Sequence, residues 1–198
     1  MAQWRIVVGG APEACSDAMS LCIFTIGHST RPIEEFLAML QSHGVRRLVD
    51  VRTVPRSRHN PQFNGEDLSR ALHANRLHYR HMPGLGGLRH PRRDSLNTAW
   101  RNSSFRGYAD YMQTPEFAEN LDELIELGKQ ELSAVMCAEA VPWRCHRSLI
   151  ADALLVRGIS VLEIASATRT APLTLHPWAF VQGSNVTYPG EQQSLQLD

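Results

Sequence analysis

Apolar positions in this 198-residue chain fall alternately into short solid runs and one-sided helical stretches. Residues 22–27 form a short apolar run suited to a buried strand. His28-Ser29-Thr30 follows, then Pro32 near a helix start. Phe36, Leu37 and Leu40 share one helical face, and Gly44 is a natural stop. Residues 48–51 predict a second strand. A polar loop over 53–63 leads to Asn64, a helix-capping residue type, and to Leu68, Ala71 and Leu72 at helical spacing. Residues 77–82 read as a weaker strand, and 83–105 as a Gly- and Arg-rich loop too long to be only a connector. A short helix is predicted over 108–112. Thr114-Pro115-Glu116 is a strong helix start, because proline's missing N–H costs nothing at the first helical position. Phe117, Leu121, Leu124 and Ile125 give that helix its apolar face. A strand over 132–136, a helix over 147–156 ended by Gly158, and a last strand over 159–164 complete the pattern.

Strands alternating with helices predict a three-layer α/β fold: a mostly parallel sheet of about five strands with helices on both faces. There is no internal repeat and no low-complexity linker. The expected organisation is a loose amino-terminal arm (1–20), one α/β domain (21–165) and a surface tail (166–198), where periodic signals are few.

Composition sharpens this reading. No apolar run approaches the length of a membrane span, and the first 22 residues make a poor signal peptide. Cys15, Cys22, Cys137 and Cys145 are too few for a disulfide framework in a chain of this length and read as reduced thiols in a cytoplasm. The net charge of zero conceals segregation. Residues 46–106 hold 13 arginines against Asp50, Glu66, Asp67 and Asp94, a local balance of +9. Residues 107–139 hold eight acids against Lys129, the only lysine, a balance of −7. This predicts a basic surface near the middle of the chain.

In open α/β sheets, ligands bind beyond the carboxyl ends of the strands. Four predicted strand exits carry polar or reactive side chains there: His28 and Ser29, Asp50 and Arg52, His81, then Cys137 and Glu139. The segment from Cys137 through Glu139, Trp143, Arg144, Cys145 and His146 to Arg147 is the densest. Cys145 precedes a helix whose unpaired N–H groups stabilise a thiolate, so Cys145 is expected to react before Cys15 and Cys137 more slowly. The competing reading makes both thiols core residues, since free cysteine is commonly buried. Cys137, Glu139, Cys145 and His146 are also ligand types for zinc or iron, although their spacing matches no standard zinc pattern.

Arg52, Arg56 and Arg58 follow Asp50 closely and suit a phosphate or carboxylate clamp with Ser57. Asp50 can orient an arginine or act as a base. Gly86 and Gly87 permit close backbone approach to a ligand, or simply make a tight turn. Trp100, Phe105 and Tyr108, interleaved with Arg101 and Arg106, suit either base stacking or the core.

Thr25-Ile26-Gly27-His28-Ser29, Asp50-Val51-Arg52 with Pro55 and Ser57-Arg58, Leu85-Gly86-Gly87, Phe105-Arg106-Gly107-Tyr108, and Cys137-Ala138-Glu139 leading to Cys145-His146-Arg147 together resemble the domain of unknown function 488 family over about residues 23–165. That resemblance implies a cytosolic α/β domain and brings no catalytic assignment. A strand ending in Asp-Val-Arg, and a later strand ending in cysteine before an Arg-Ser helix start, is similar to rhodanese-like sulfurtransferases. There Cys137 would match the persulfide-carrying cysteine and Arg147-Ser148 the helix start. Seven residues separate Cys137 from Cys145, where that family has a short loop around the thiol.

The leading expectation is an enzyme acting on an anionic substrate: a nucleotide, a nucleic-acid component or a sulfur carrier. Cys145 or Cys137 would be the nucleophile, His28 or His146 would move protons, and Glu139 or Asp50 would orient them. Ser29, Arg52, Ser57, Arg58, Gly86, Gly87, Arg106, Tyr108, Trp143 and Arg147 would bind substrate. No cofactor and no membrane partner is indicated. The alternatives are a nucleic-acid-binding module using the arginines of 46–106, and a metal protein using Cys137, Glu139, Cys145 and His146.

Overall fold

A computed structural model describes residues 21–190; the expected arm over 1–20 and the end of the tail lie outside the described residues. The elements are β1 (Cys22–Gly27), α1 (Ile33–Ser42), β2 (Arg47–Asp50), α2 (Gly65–Ala74), β3 (His78–His81), α3 (Ser103–Tyr111), α4 (Pro115–Gln130), β4 (Ser133–Cys137), α5 (Arg147–Leu155), β5 (Ser160–Ser166), β6 (Arg169–Pro172), β7 (Phe180–Gln182) and β8 (Asn185–Thr187). The central sheet has six strands in the order β3-β2-β4-β1-β5-β6. The first five are parallel, and β6 turns back antiparallel along β5. β7 and β8 form a separate hairpin.

Strand side chains alternate between faces, so one run of apolar residues serves two layers. Phe24, Ile26, Leu48, Ala134, Met136 and Leu162 pack with the apolar faces of α1 and α2. Ile23, Val49, Val135 and Val161 pack with α3, α4 and α5 on the other face. The expected three-layer α/β architecture is therefore present, with helices on both sides.

Local signals act largely as their chemistry requires. Thr114 Oγ1 accepts the Phe117 N–H at 3.3 Å at the start of α4, with Pro115 in the first turn. Gly44 has φ of 71°, a left-handed conformation open to glycine, just past α1. Asn64 stands at the α2 amino end, but its side chain does not cap that helix; Oδ1 accepts the Ser57 N–H at 2.9 Å and fixes the preceding loop. The helix expected over 108–112 begins earlier, at Ser103, because Asn102 Oδ1 accepts from Ser104 N at 2.8 Å. The four cysteines were expected to be reduced. Cys137 and Cys145 are free thiols, whereas Cys22 is disulfide-bonded.

Residues 166–190 do more than trail over the surface. β6 pairs with β5, and Val186 and Tyr188 are buried against α5 and α3. Tyr188 Oη donates to Asp152 Oδ2 at 2.6 Å, and His176 Nδ1 lies 2.6 Å from the same oxygen. Tyr188 N donates to Asn97 Oδ1 at 2.9 Å, so the tail is stitched to the long 83–105 loop. Trp100 stands among Phe105, His176, Trp178 and Tyr188, with ring centroids 4.9 to 5.5 Å apart. A segment anchored by polar contacts and scattered aromatic rings carries no period, which is why its packing is invisible in the hydrophobic pattern.

The Tyr188–Asp152 bond is buried and involves a carboxylate, the class worth about 1.5–3 kcal/mol. Tyr188→Phe keeps the ring and removes the donor. It is expected to lower the unfolding free energy by about that amount in a urea titration, and an unchanged midpoint would show that the tail is not anchored there.

Candidate active site

The carboxyl ends of β1, β2 and β4 meet at one edge of the sheet. Gly27 sits beside Cys137, and the β1–β4 ladder continues past the strands: His28 N donates to Cys137 O at 3.0 Å and Ser29 N to Ala138 O at 2.9 Å. Glycine is required at position 27, because a Cβ there would lie 1.9 Å from the Glu139 carbonyl oxygen. This approach brings the His28 ring next to the Cys137 thiol.

A cavity of about 470 Å3 opens above that edge. His28, Arg52, Ser57, Gly87, Cys137, Glu139, Cys145 and His146 line it, so eight of the residues singled out in the sequence converge. Arg56 and Arg144 also line it and make no ion pair among the described residues. Val54, Leu88 and Phe105 add apolar wall. Arg56 and Phe105 stood inside motifs already noted, whereas Val54, Leu88 and Ser104 carried no signal, being ordinary residue types in loops.

Cys137, Cys145 and His146 cluster at the cavity wall: one ligand atom from each lies within 4.8 Å of the others. Cys145 Sγ is 3.6 Å from His146 Nδ1. The thiols are not alike. Cys137 is held well below the usual thiol range by a hydrogen bond from the Cys145 thiol, by the His146 imidazole and by the Glu139 backbone N–H, which together outweigh burial. Cys145 is pushed up, because its thiol is held as donor to the Cys137 sulfur and because it is buried. The sequence alone favours Cys145 as the activated thiol; in the fold the two thiols stand together, with Cys137 lowered and Cys145 raised. The backbone N–H of Arg147 at the α5 start favours a charged Cys145, but the Cys137 sulfur and burial oppose it. The expected comparison with Cys15 falls outside the described residues. His146 Nε2 is buried without a hydrogen-bond partner. A Cβ on Gly87 would lie 2.4 Å from His146 Nδ1, so the glycine leaves room for the imidazole.

Asp50 and Arg52 form a second unit. Arg52 Nε donates to Asp50 Oδ1 at 2.9 Å and Nη2 to Oδ2 at 2.6 Å, a two-pronged ion pair at 7% and 0% exposure. Tyr79 Oη donates to Oδ2 as well, at 2.8 Å, and Asp50 raises the tyrosine pKa after burial itself. Asp50 is thus occupied as an orienting group and does not face the cavity as a base. Arg52 Nη1 lies 3.3 Å from His28 Nε2, and His28 Nδ1 lies 2.8 Å from the Ser29 carbonyl. The carbonyl demands Nδ1–H, so Nε2 is the acceptor and the ring is neutral. Burial lowers the His28 pKa from its ordinary 6.5, and the facing Arg52 charge adds to the effect.

The remaining expected binders stand elsewhere. Arg147 is fully buried; Nη2 donates to the Glu139 carbonyl at 2.7 Å and Nη1 lies 3.4 Å from Glu163 Oε2. It braces the loop after β4 from below. Tyr108 is a core residue whose hydroxyl donates to the Leu85 carbonyl at 2.9 Å. Arg106 Nε donates to the Trp100 carbonyl at 3.0 Å. Gly86 is buried against Thr53, Ser29 sits at φ of 51° in the turn after β1, and Arg58 and Trp143 are exposed. None of these lines the cavity. Of the four-residue metal set, Glu139 stays outside the Cys137–Cys145–His146 cluster, so a bound ion would take three protein ligands and leave its fourth position to the cavity.

Part of the basic stretch expected near the middle of the chain is paired within the fold. Arg47 pairs with Glu131 and Arg80 with Glu123, so the acidic stretch around α4 neutralises arginines from β2 and β3. Arg70 and Arg92 pair locally with Asp67 and Asp94.

The neutral state of His28 has a measurable consequence. Its folded pKa lies below the unfolded one, so the unfolded chain takes up this proton first as pH falls. Stability from this site is complete above pH 6.5 and declines below it. Urea midpoints measured from pH 7 downward are expected to fall less steeply in His28→Gln than in the parent; equal slopes would mean that the ring accepts a proton freely in the fold.

Residues 32–154 match the family model described as Domain of unknown function DUF488, a narrower span than the motifs suggested, beginning after His28. No curated protein and no solved structure matches the chain. No helix among the described residues is long and apolar enough to cross a membrane. The family match covers more than half of the sequence, and the chain belongs to the DUF488 family.

Proposed function

We propose that the protein is a thiol-dependent enzyme acting on a small organic anion, with Cys137 as the nucleophile. The observation that carries this reading is the clustering of Cys137, Cys145 and His146 within 4.8 Å at the wall of a cavity that Arg52, Arg56 and Arg144 also line. A thiolate, not a thiol, attacks electrophiles, and this arrangement supplies the donors that favour one. Arg56 and Arg144 are available for an anionic group on the substrate. Arg52, locked by Asp50, is a fixed positive charge at the same wall. Val54, Leu88 and Phe105 suit an apolar or aromatic body beside that charge. The volume falls in the range of small-molecule sites. Nucleotides and charged sulfur carriers both belong to this substrate class.

The nucleic-acid-binding alternative draws less support. It rests on the arginines of 46–106, and Arg47, Arg52, Arg70, Arg80 and Arg92 are spent on ion pairs within the fold.

Two alkylating reagents of similar size test the proposal. Neutral iodoacetamide at pH 6 is expected to label Cys137 first. Iodoacetate is expected to react faster, relative to iodoacetamide, than it does with free glutathione, because the cavity attracts its carboxylate. Arg56→Gln and Arg144→Gln should each reduce that preference by about two- to fivefold, the range of a partly exposed ion pair, with the iodoacetamide rate little changed. Peptide mapping that finds Cys137 unmodified until the protein is denatured would overturn the assignment.

A further inference from the structure

Cys145 asks for a role of its own. It lines the same cavity, is 3% exposed, is a free thiol and has its sulfur within 4.8 Å of the Cys137 sulfur. Hydrogen bonding alone does not call for sulfur, since an S–H is a weak donor that a hydroxyl would surpass. What a second sulfur adds is the ability to attack the first. The segment between the two offers room to do so: it contains one short helical turn, Pro142–Arg144, and Ala138, Glu139, Trp143 and Arg144 are exposed. Closing to a disulfide requires the sulfurs to approach about 2.05 Å.

Resting on the reading of Cys137 as nucleophile, we propose that Cys145 is a resolving thiol and that the protein reduces organic disulfides bearing negative charge. In the first step the Cys137 thiolate attacks one sulfur of the substrate disulfide. A Cys137–substrate mixed disulfide forms, the substrate S–S bond breaks, and one substrate thiolate leaves. With Cys137 no longer a thiolate beside it, Cys145 passes its proton to His146 Nδ1, 3.6 Å away. The Cys145 thiolate then attacks Cys137 Sγ. A Cys137–Cys145 disulfide forms, the second substrate thiolate leaves, and the proton on His146 passes to it. The substrate gains two electrons, the cysteine pair loses two, and an external dithiol must reduce the pair before the next turnover.

The probe is 5,5′-dithiobis(2-nitrobenzoate), an aromatic disulfide with one carboxylate on each ring, which matches the charge and apolar wall of the cavity. Reaction with the full-length protein at neutral pH is expected to release two nitrothiobenzoate ions for each Cys137 consumed. The second release should be first order and independent of reagent concentration. Peptide mapping without reduction should find Cys137 joined to Cys145, with no retained probe. Cys145→Ser is expected to stop after one release, with the probe still bound to Cys137. If the parent protein instead keeps the probe on Cys137 while Cys145 remains reduced, the resolving role is wrong and the nucleophile assignment survives. If Cys137 does not react in either protein, both readings fail. The parent's own peptide map decides the question even if the variant folds poorly.

Discussion

A buried guanidinium underlies the organisation of the site. Arg147 has no exposed surface, and a charge in that position is tolerated only when it is paired and hydrogen-bonded. Its partners are the Glu163 carboxylate on β5 and the Glu139 carbonyl just past β4. Thr25 on β1 donates to Glu163 as well. One cation therefore ties β5 to the loop that leaves Cys137 and, through Glu163, to β1. Glu139 matters twice: its carbonyl is held by Arg147, and its backbone N–H favours a charged Cys137 thiol. The geometry around the thiol is an extension of the way the core neutralises its own buried charge.

The Asp50–Arg52–His28 unit follows the same logic on the neighbouring strands. Asp50 is fully enclosed, so its charge must be answered by Arg52 and Tyr79. Arg52 Nη2 also donates to the Phe63 carbonyl at 2.8 Å, and Nη1 reaches toward His28. His28 in turn stacks on Phe63 at 4.2 Å. Each polar group at this edge has its orientation set by the next, which leaves little rotational freedom to lose when a ligand enters.

The layered fold was legible because a parallel sheet covered on both faces writes itself as apolar runs separated by amphipathic helices. The convergence of His28, Arg52, Cys137, Cys145 and His146 was legible too, since it follows from strand direction alone. The division of labour inside that cluster was not. From sequence, Cys145 stands closer to a helix start than Cys137 and looks the better thiolate. What sequence does not show is that the two thiols meet and act on one another, a contact across eight residues that no local rule contains. Arg147 was misplaced for a related reason: whether an arginine at a helix start points outward or under the sheet depends on Glu163, sixteen positions away. Likewise the charge segregation along the chain does not show that Arg47 and Arg80 meet Glu131 and Glu123 across the edge of the sheet.

Helix α5 carries the thiol cluster at its front and, one turn further on, Asp152, which receives the hydroxyl of Tyr188 and the ring of His176. The cavity edge and the carboxyl-terminal segment therefore both rest on α5. Opening free energies differ from place to place in a folded chain, and segments held by a few polar contacts lie at the low end. Here such a segment is the outer support of the helix on which Cys145 and His146 are mounted. Whenever residues 176–188 detach, α5 loses its outer packing and the spacing of the sulfurs is no longer enforced. The spacing of the thiol pair thus depends on packing supplied by residues well removed in sequence from either cysteine.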